Sequence, residues 1–280
     1  MPRFFSGRRE PQPVGEPEYF HSETPQRNYA ALSHAARAGA GPDVLLAGLN
    51  SSAGATLAHR ISGTDWSRGV LEHDGISPVD LVTYHHYTPA RLGYPGDDVE
   101  AGFHRGIGPL LDAVHTPRVW MTEGSNTPGG LPGSFYNHTL PPDPAFDPAD
   151  SSDALARYLL SMLAAGNEKI FLYSMHAHGL WGRQDRFTTL VQPDGYLHPD
   201  AAAFSALTHA LEGTNFVSRE RGDDHATRYI FEGQEQTIHL IAPHPDHPVS
   251  PPENALDPRD VWGNPARGPQ RHLFTVKRLK

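Results

Sequence analysis

The sequence predicts an α/β fold of parallel strands with covering helices, followed by a small all-β appendage. Three observations lead there. Four short apolar runs, each reading as a strand buried on both faces, alternate with helix-patterned stretches as far as Gly213. Beyond Gly213 the helical pattern stops, and short strand-like segments follow one another across Gly/Asp turns. Gly and Pro number 27 each among 280 residues, a loop-rich composition that argues against a helical bundle.

The elements follow in chain order. The segment up to Pro25 is dense in Pro, Gly, Arg and Glu and by itself reads as disordered. Residues 27–40 (RNYAALSHAARAGA) place Tyr29, Leu32, Ala36 and Ala40 at helical spacing, and the following Gly-Pro ends the helix. Residues 44–49 (VLLAGL) and 79–87 (VDLVTYHHY) are the first two strands, and a helix is expected over about 99–114. Residues 118–122 (RVWMT) form the third strand. After a Pro/Gly-rich loop, residues 153–165 (DALARYLLSMLAA) carry the strongest helix signal, stopped by Gly166. Residues 169–175 (KIFLYSM) are the fourth strand, and 199–211 (PDAAAFSALTHAL) a last helix closed by Glu212-Gly213. Strands are then expected at 216–220, 226–231 and 237–241, a Pro/His-rich loop at 243–258, and a final strand within 272–279.

Composition excludes several chemistries. The net charge of -9 argues against a general affinity for nucleic-acid phosphates. The chain has no cysteine, which removes disulfides, thiolate metal sites and cysteine nucleophiles together. No apolar run approaches the roughly eighteen residues of a membrane span, so no membrane partner is expected. The basic N-terminus lacks an apolar segment long enough for a targeting signal.

In a barrel-type α/β fold, catalytic groups sit at the C-terminal ends of the parallel strands. Here the first strand ends in Leu49-Asn50-Ser51, the second in His85-His86-Tyr87 and the third in Thr122-Glu123-Gly124-Ser125. The fourth runs through Tyr173 to His176-Ala177-His178, with Trp181 beyond. Each end turns polar or aromatic directly after an apolar run, which favours a site along one rim. Glu123 is the sharpest candidate, although a loop glutamate or a helix cap would look the same in sequence.

The blocks VDLVTYHHY, VWMTEGS and ARYLLSMLAAGNEKIFLYSMH resemble the second half of clan A glycoside hydrolases. Those are retaining (β/α)8-barrel enzymes with a Glu nucleophile after strand seven. The later blocks PDAAAFSALTHALEGTNFV, YIFEGQEQTIHLI and RDVWGNP resemble the last barrel helix and β-sandwich appendage of the xylosidase- and galactosidase-like members. The resemblance implies a partial barrel, about strands four to eight, in residues 1–213 and a β-rich C-terminal domain in 214–280. It implies cleavage of O-glycosidic bonds by double displacement with two carboxylates.

Glu123 matches the nucleophile. The family's acid/base Glu follows strand four as Asn-Glu-Pro, and the matching stretch is Gly15-Glu16-Pro17, with Glu18 and Glu10 as rivals. This sequence departs from the pattern at Gly15, because the family's Asn contacts the sugar 2-hydroxyl and glycine has no side chain to do so. Tyr87 or Tyr84 would orient the nucleophile, and His85 and His86 would contact sugar hydroxyls. Asn50 is a further substrate-binding candidate, while Tyr173, His176 and Trp181 would wall the sugar subsite. Each of these side chains, taken alone, is more often packing than function; their shared position at strand ends favours the functional reading.

No cofactor is expected. The closest histidine groupings, His85-His86, His176-x-His178 and His244-x-x-His247, invite a metal reading. A His-x-His on the last strand does not match the first-strand ligand pattern of metal-dependent barrels, however, and no HExxH, Walker or G-x-S-x-G motif occurs. If Glu16 follows strand four, strands one to three have no counterpart, and an open barrel exposes strand edges and an apolar interior. A fragment of a longer chain is the favoured account, ahead of a degenerate non-catalytic carbohydrate-binding homologue or assembly with a second chain. The expected partners are therefore an oligo- or polysaccharide or a glycoside, together with self-association through the open barrel edge.

Overall fold

The computed structural model describes residues 23–52, 63–74, 79–87, 100, 103–104, 106–114, 118–125, 148–173, 175, 190–191, 195–244 and 246–279. Glu10, Gly15, Glu16, Pro17, Glu18, His176, His178 and Trp181 lie outside these residues. A four-stranded sheet has the order β1 (Ala47–Ser52), β2 (Leu81–Tyr87), β3 (Val119–Ser125), β4 (Lys169–Leu172), with β1 and β2 parallel. An antiparallel sheet of five strands has the order β5 (Asn215–Arg221), β6 (Thr227–Glu232), β7 (Gln236–Ala242), β9 (Phe274–Leu279), β8 (Leu256–Arg259). The helices are α1 (Glu23–Ala40), α2 (Gly63–Asp74), α3 (Gly108–Val114), α4 (Pro148–Ala164) and α5 (Pro199–Leu211). No described helix is long and apolar enough to cross a membrane. The chain separates into two compact units, residues 1–85 with 106–120 and residues 86–105 with 121–280.

In the first unit, α1 and α2 pack on each other. Tyr29 meets Trp66 edge to face at 5.3 Å, Ser67 and Val70 are buried, and a Cβ at Gly69 would run into the Gln26 amide. The sequence pattern gives no warning of α2, since GTDWSRGVLEHD carries two glycines and few apolar residues. Its helical state depends on burial of Ser67 and Val70 and on the contact of Trp66 with Tyr29 of α1, a tertiary override of weak propensity.

The first strand starts three residues later than its apolar run suggests. Val44 and Leu45 precede it and are exposed, so they are not a strand buried on both faces. The register with β2 slips between Gly48 and Ser51, and Leu49 there adopts a left-handed φ of 72°. Such a bulge costs a branched residue on the order of 1–2 kcal/mol and frees backbone groups from the ladder. Both freed groups of Leu49 find side-chain partners: its N–H donates to Tyr29 Oη at 2.8 Å, and its carbonyl accepts from Ser67 Oγ at 3.2 Å. The bulge immediately precedes Asn50, which lies inside β1 rather than beyond its end.

In the second unit, α4 is buried all round, from Ser151 to Met162. Leu155, Tyr158, Leu159 and Met162 provide apolar packing, but Ser151, Ser152, Asp153, Arg157 and Ser161 are buried as well. Each of these polar groups is paired, as burial requires. Arg157 Nε donates to Asp153 at 2.6 Å and its Nη2 to the Pro243 carbonyl at 2.8 Å. Asp153 also accepts the Leu273 N–H at 2.7 Å, and Trp262 Nε1 donates to Ser152 Oγ at 3.0 Å. Ser151 and Ser152 donate to the Asp200 carboxylate at the start of α5, at 2.8 and 3.1 Å. The polar face of α4 is thereby fastened to the antiparallel sheet's loops and to α5.

The helix α5 spans the residues its sequence signals predict. His198 at the N-cap accepts from the Asp200 N–H, Pro199 opens the helix, and Gly213 follows with φ 71°. The antiparallel sheet buries Ala226, Ile241, Phe274 and Val276 around Ala266. One strand was not anticipated: β8 (LDPR) lies in the predicted Pro/His-rich loop. It is a short edge strand, a position that tolerates Pro258. The strand β4 also departs from expectation. Its residues alternate between exposed and half-buried, with Phe171 47% exposed, because it ends the sheet order and has a single described neighbour.

Candidate active site

The second unit brings three of the predicted strand ends together. Gly124, next to Glu123, sits against the end of β2: a Cβ at 124 would collide with the His86 carbonyl oxygen and fall 2.9 Å from Met121 Sδ. On its other side, the Gly124 carbonyl accepts the Tyr173 N–H at 2.9 Å, just past β4. Glycine is required here for close approach of backbones, independent of any unusual φ. His86-Tyr87, Glu123 and Tyr173 thus lie on adjacent strand ends. Glu123 and Tyr173 are half-buried, and β3 continues through Ser125, so Glu123 is in the strand's last residues rather than after it.

His86 faces α4. Its ring stacks on Tyr158 with centroids 5.8 Å apart and 16° between planes, and it is 2% exposed. Any contribution of His86 to the rim therefore runs through its backbone and packing. Tyr158 Oη donates to the His86 carbonyl at 2.7 Å and lies 3.0 Å from Met121 Sδ and 3.2 Å from His86 Nδ1. A phenol has one proton, and the contact to the carbonyl, at 2.7 Å, is the shortest of the three. The hydroxyl is left to accept from Nδ1–H, which assigns that tautomer to His86.

Burial pushes the His86 imidazole down to about 4 from its usual 6.5. The sign follows from linkage. Between about pH 6.5 and 4 the unfolded chain binds this proton and the folded one does not, so stability rises with pH. The contribution is complete above pH 6.5 and is lost as pH falls through the folded value. A shift of this size corresponds to about 3 kcal/mol. Urea midpoints measured from pH 7.5 to 4 should show the slope, and His86→Phe should flatten it; an unchanged slope in the variant contradicts the assignment.

Three predicted site residues belong to the first unit. Tyr84 is fully buried and His85 half-buried in β2, paired with Ser51 and Ser52 of β1. Asn50 lies in β1 after the Leu49 bulge, and its side chain, like that of Tyr87, falls outside the described set. The sequence pattern did not single out Tyr158 or Gly124. Tyr158 reads as one more apolar position of an amphipathic helix, and Gly124 as an ordinary strand-end glycine.

Among the described residues, no three His, Asp or Glu side chains are placed to hold one metal ion. His244 and His247 contact each other with ring centroids 5.4 Å apart, and His247 contacts His225 at 4.7 Å. The rings sit beside one another on two turns of the antiparallel sheet.

No protein-family model matches the chain. No curated protein matches it either. Solved structures that are similar to it are glycoside hydrolases. One is a family 39 glycoside hydrolase from the gut symbiont Bacteroides cellulosilyticus WH2, at 14% identity and a TM-score of 0.48, covering 77% of this chain and 48% of that one. A β-porphyranase of family 86 from the human gut bacterium Bacteroides plebeius aligns at 10% identity and a TM-score of 0.48, over 93% of this chain and 52% of its own. A family 128 curdlan-specific exo-β-1,3-glucanase from Blastomyces gilchristii aligns at 18% identity and a TM-score of 0.37, over 52% of each chain. The chain spans about half the length of these structures.

Proposed function

We propose that this chain carries the nucleophile-bearing part of a retaining glycoside hydrolase. In this reading residues 1–213 are the C-terminal part of a (β/α)8 barrel and residues 214–280 a β-rich domain. The observation that carries the reading is the position of Glu123, half-buried at the end of β3 between the ends of β2 and β4. That is where this class of barrel presents a carboxylate to substrate. The motif resemblance of VWMTEGS and VDLVTYHHY supports the same role.

The chemistry assigns one task to each carboxylate. Glu123, ionised, attacks the anomeric carbon, and Glu16, protonated, gives its proton to the departing glycosidic oxygen. Glu16 then takes a proton from water, which attacks the glycosyl-enzyme ester and releases Glu123 with the sugar's configuration retained. The two carboxyl groups must come within about 5–5.5 Å for this outcome. Tyr87 orients the nucleophile in this scheme. Asn50 and His85 contact sugar hydroxyls in the same scheme, and Tyr173, His176 and Trp181 pack on the C–H faces of the ring. No step needs a metal or cofactor.

The test is a panel of aryl glycosides, with product anomers followed by NMR, and incubation with 2-deoxy-2-fluoro glycosides. Mass spectrometry should find the fluoro-sugar esterified to Glu123. Inversion of configuration, or a label on another carboxylate, sinks the assignment.

A second reading has its own support. Gly15 stands where the enzymes whose motif it resembles carry Asn. That departure favours a non-catalytic carbohydrate-binding remnant. Saccharide binding without turnover would select this reading.

A further inference from the structure

We propose that Tyr158, on α4, is a positioning residue that holds Glu123 in place through the end of β2. This inference rests on the assignment of Glu123 as nucleophile. Gly124 packs against two groups, the His86 carbonyl and the Met121 sulfur. These are the groups that the Tyr158 hydroxyl binds, at 2.7 and 3.0 Å. One hydroxyl therefore fixes both walls of the slot that receives the backbone next to Glu123. Its ring also stacks on the His86 imidazole, and Tyr158, His86 and Met121 are each no more than 2% exposed. Such a contact, within a buried core, resists sliding of β3 against β2. The carbonyl of Gly124 in turn holds Tyr173, so displacement at this slot would reach the next strand end.

Tyr158→Phe removes the hydroxyl and keeps the ring. The carbonyl loses its donor and the sulfur its polar neighbour, and Glu123 gains freedom to leave its attacking position, where misplacement by an ångström can cost up to about a hundredfold in rate. The full chain carrying Tyr158→Phe should show kcat reduced about tenfold with KM changed by less than about twofold. The Glu123 carboxyl 13C resonance, observed at fixed pH, should move, and the His86 Nδ1–H signal should shift. Met121→Leu, which keeps volume and loses the sulfur, should move the same readouts in the same direction by less. It serves as the second variant if Tyr158→Phe does not fold.

A stability loss with kcat and the Glu123 carboxyl resonance unchanged would mean that Tyr158 only fills the core, and would overturn the proposal. If the wild-type chain turns over no glycoside, the nucleophile assignment fails separately. The NMR arm still decides: an unmoved Glu123 carboxyl resonance rejects the positioning role, and a displaced one supports it.

Discussion

Glu123→Ala is expected to lower turnover of aryl glycosides by about ten-thousandfold, a loss typical of removing a covalent nucleophile. The reason lies in the proposed two-step route. Without the carboxylate no glycosyl ester forms, and water bound on the far side of the sugar has no positioned base in the slot that alanine vacates. Alanine also leaves space beside the anomeric carbon. Azide, a small anion, should enter that space, attack the carbon directly and release a glycosyl azide of inverted configuration. The measurement is initial rate against azide concentration, with the product anomer assigned by NMR. A variant that keeps full activity, or one that azide rescues to a product of retained configuration, is incompatible with Glu123 as nucleophile.

The second large effect concerns stability. Asp153→Ala should destabilise the chain by about 3–5 kcal/mol, because it strands a buried guanidinium. Asp153 and Arg157 are 2% and 5% exposed, and the carboxylate also serves the Leu273 N–H at 2.7 Å. Removing it leaves the Arg157 charge and one backbone donor without their acceptor, in a region that water does not reach. Urea unfolding should show a midpoint shift at unchanged slope. The paired substitution Asp153→Leu with Arg157→Met should recover most of the loss, since replacing both ions avoids the unpaired charge. If the double variant is as unstable as Asp153→Ala, the loss comes from packing and from the Leu273 bond rather than from a stranded charge.

Parts of this protein are legible residue by residue. The bounds of α5 follow from His198, Pro199 and Gly213, which act within a turn of the helix they begin or end. The strands β5, β6 and β7 are announced by alternating residues between Gly/Asp turns, and they lie within one residue of the segments predicted. Glu123 stands out because a carboxylate directly follows the apolar run RVWMT. By contrast, α2 carries no such signal, and its buried face exists only once Trp66 meets Tyr29. Nor does the motif His85-His86 say which ring is which. Alternation along β2 turns one ring toward α4, and only the position of Tyr158 identifies that ring as His86.

By itself, then, the sequence determined the alternation of strand and helix, the change to antiparallel strands after Gly213, and a carboxylate at the end of the third strand. Those features arise from periodicity, caps and turns, which act over a few neighbouring residues. Tertiary structure alone decided the bulge at Leu49, the burial of the polar face of α4 and the close approach at Gly124. Each depends on partners far away in the chain: Tyr29 and Ser67 for Leu49, Leu273 for Asp153, and His86 for Gly124. A buried polar group or a left-handed leucine is unfavourable until such a partner arrives, and no local pattern announces which residue the partner will be.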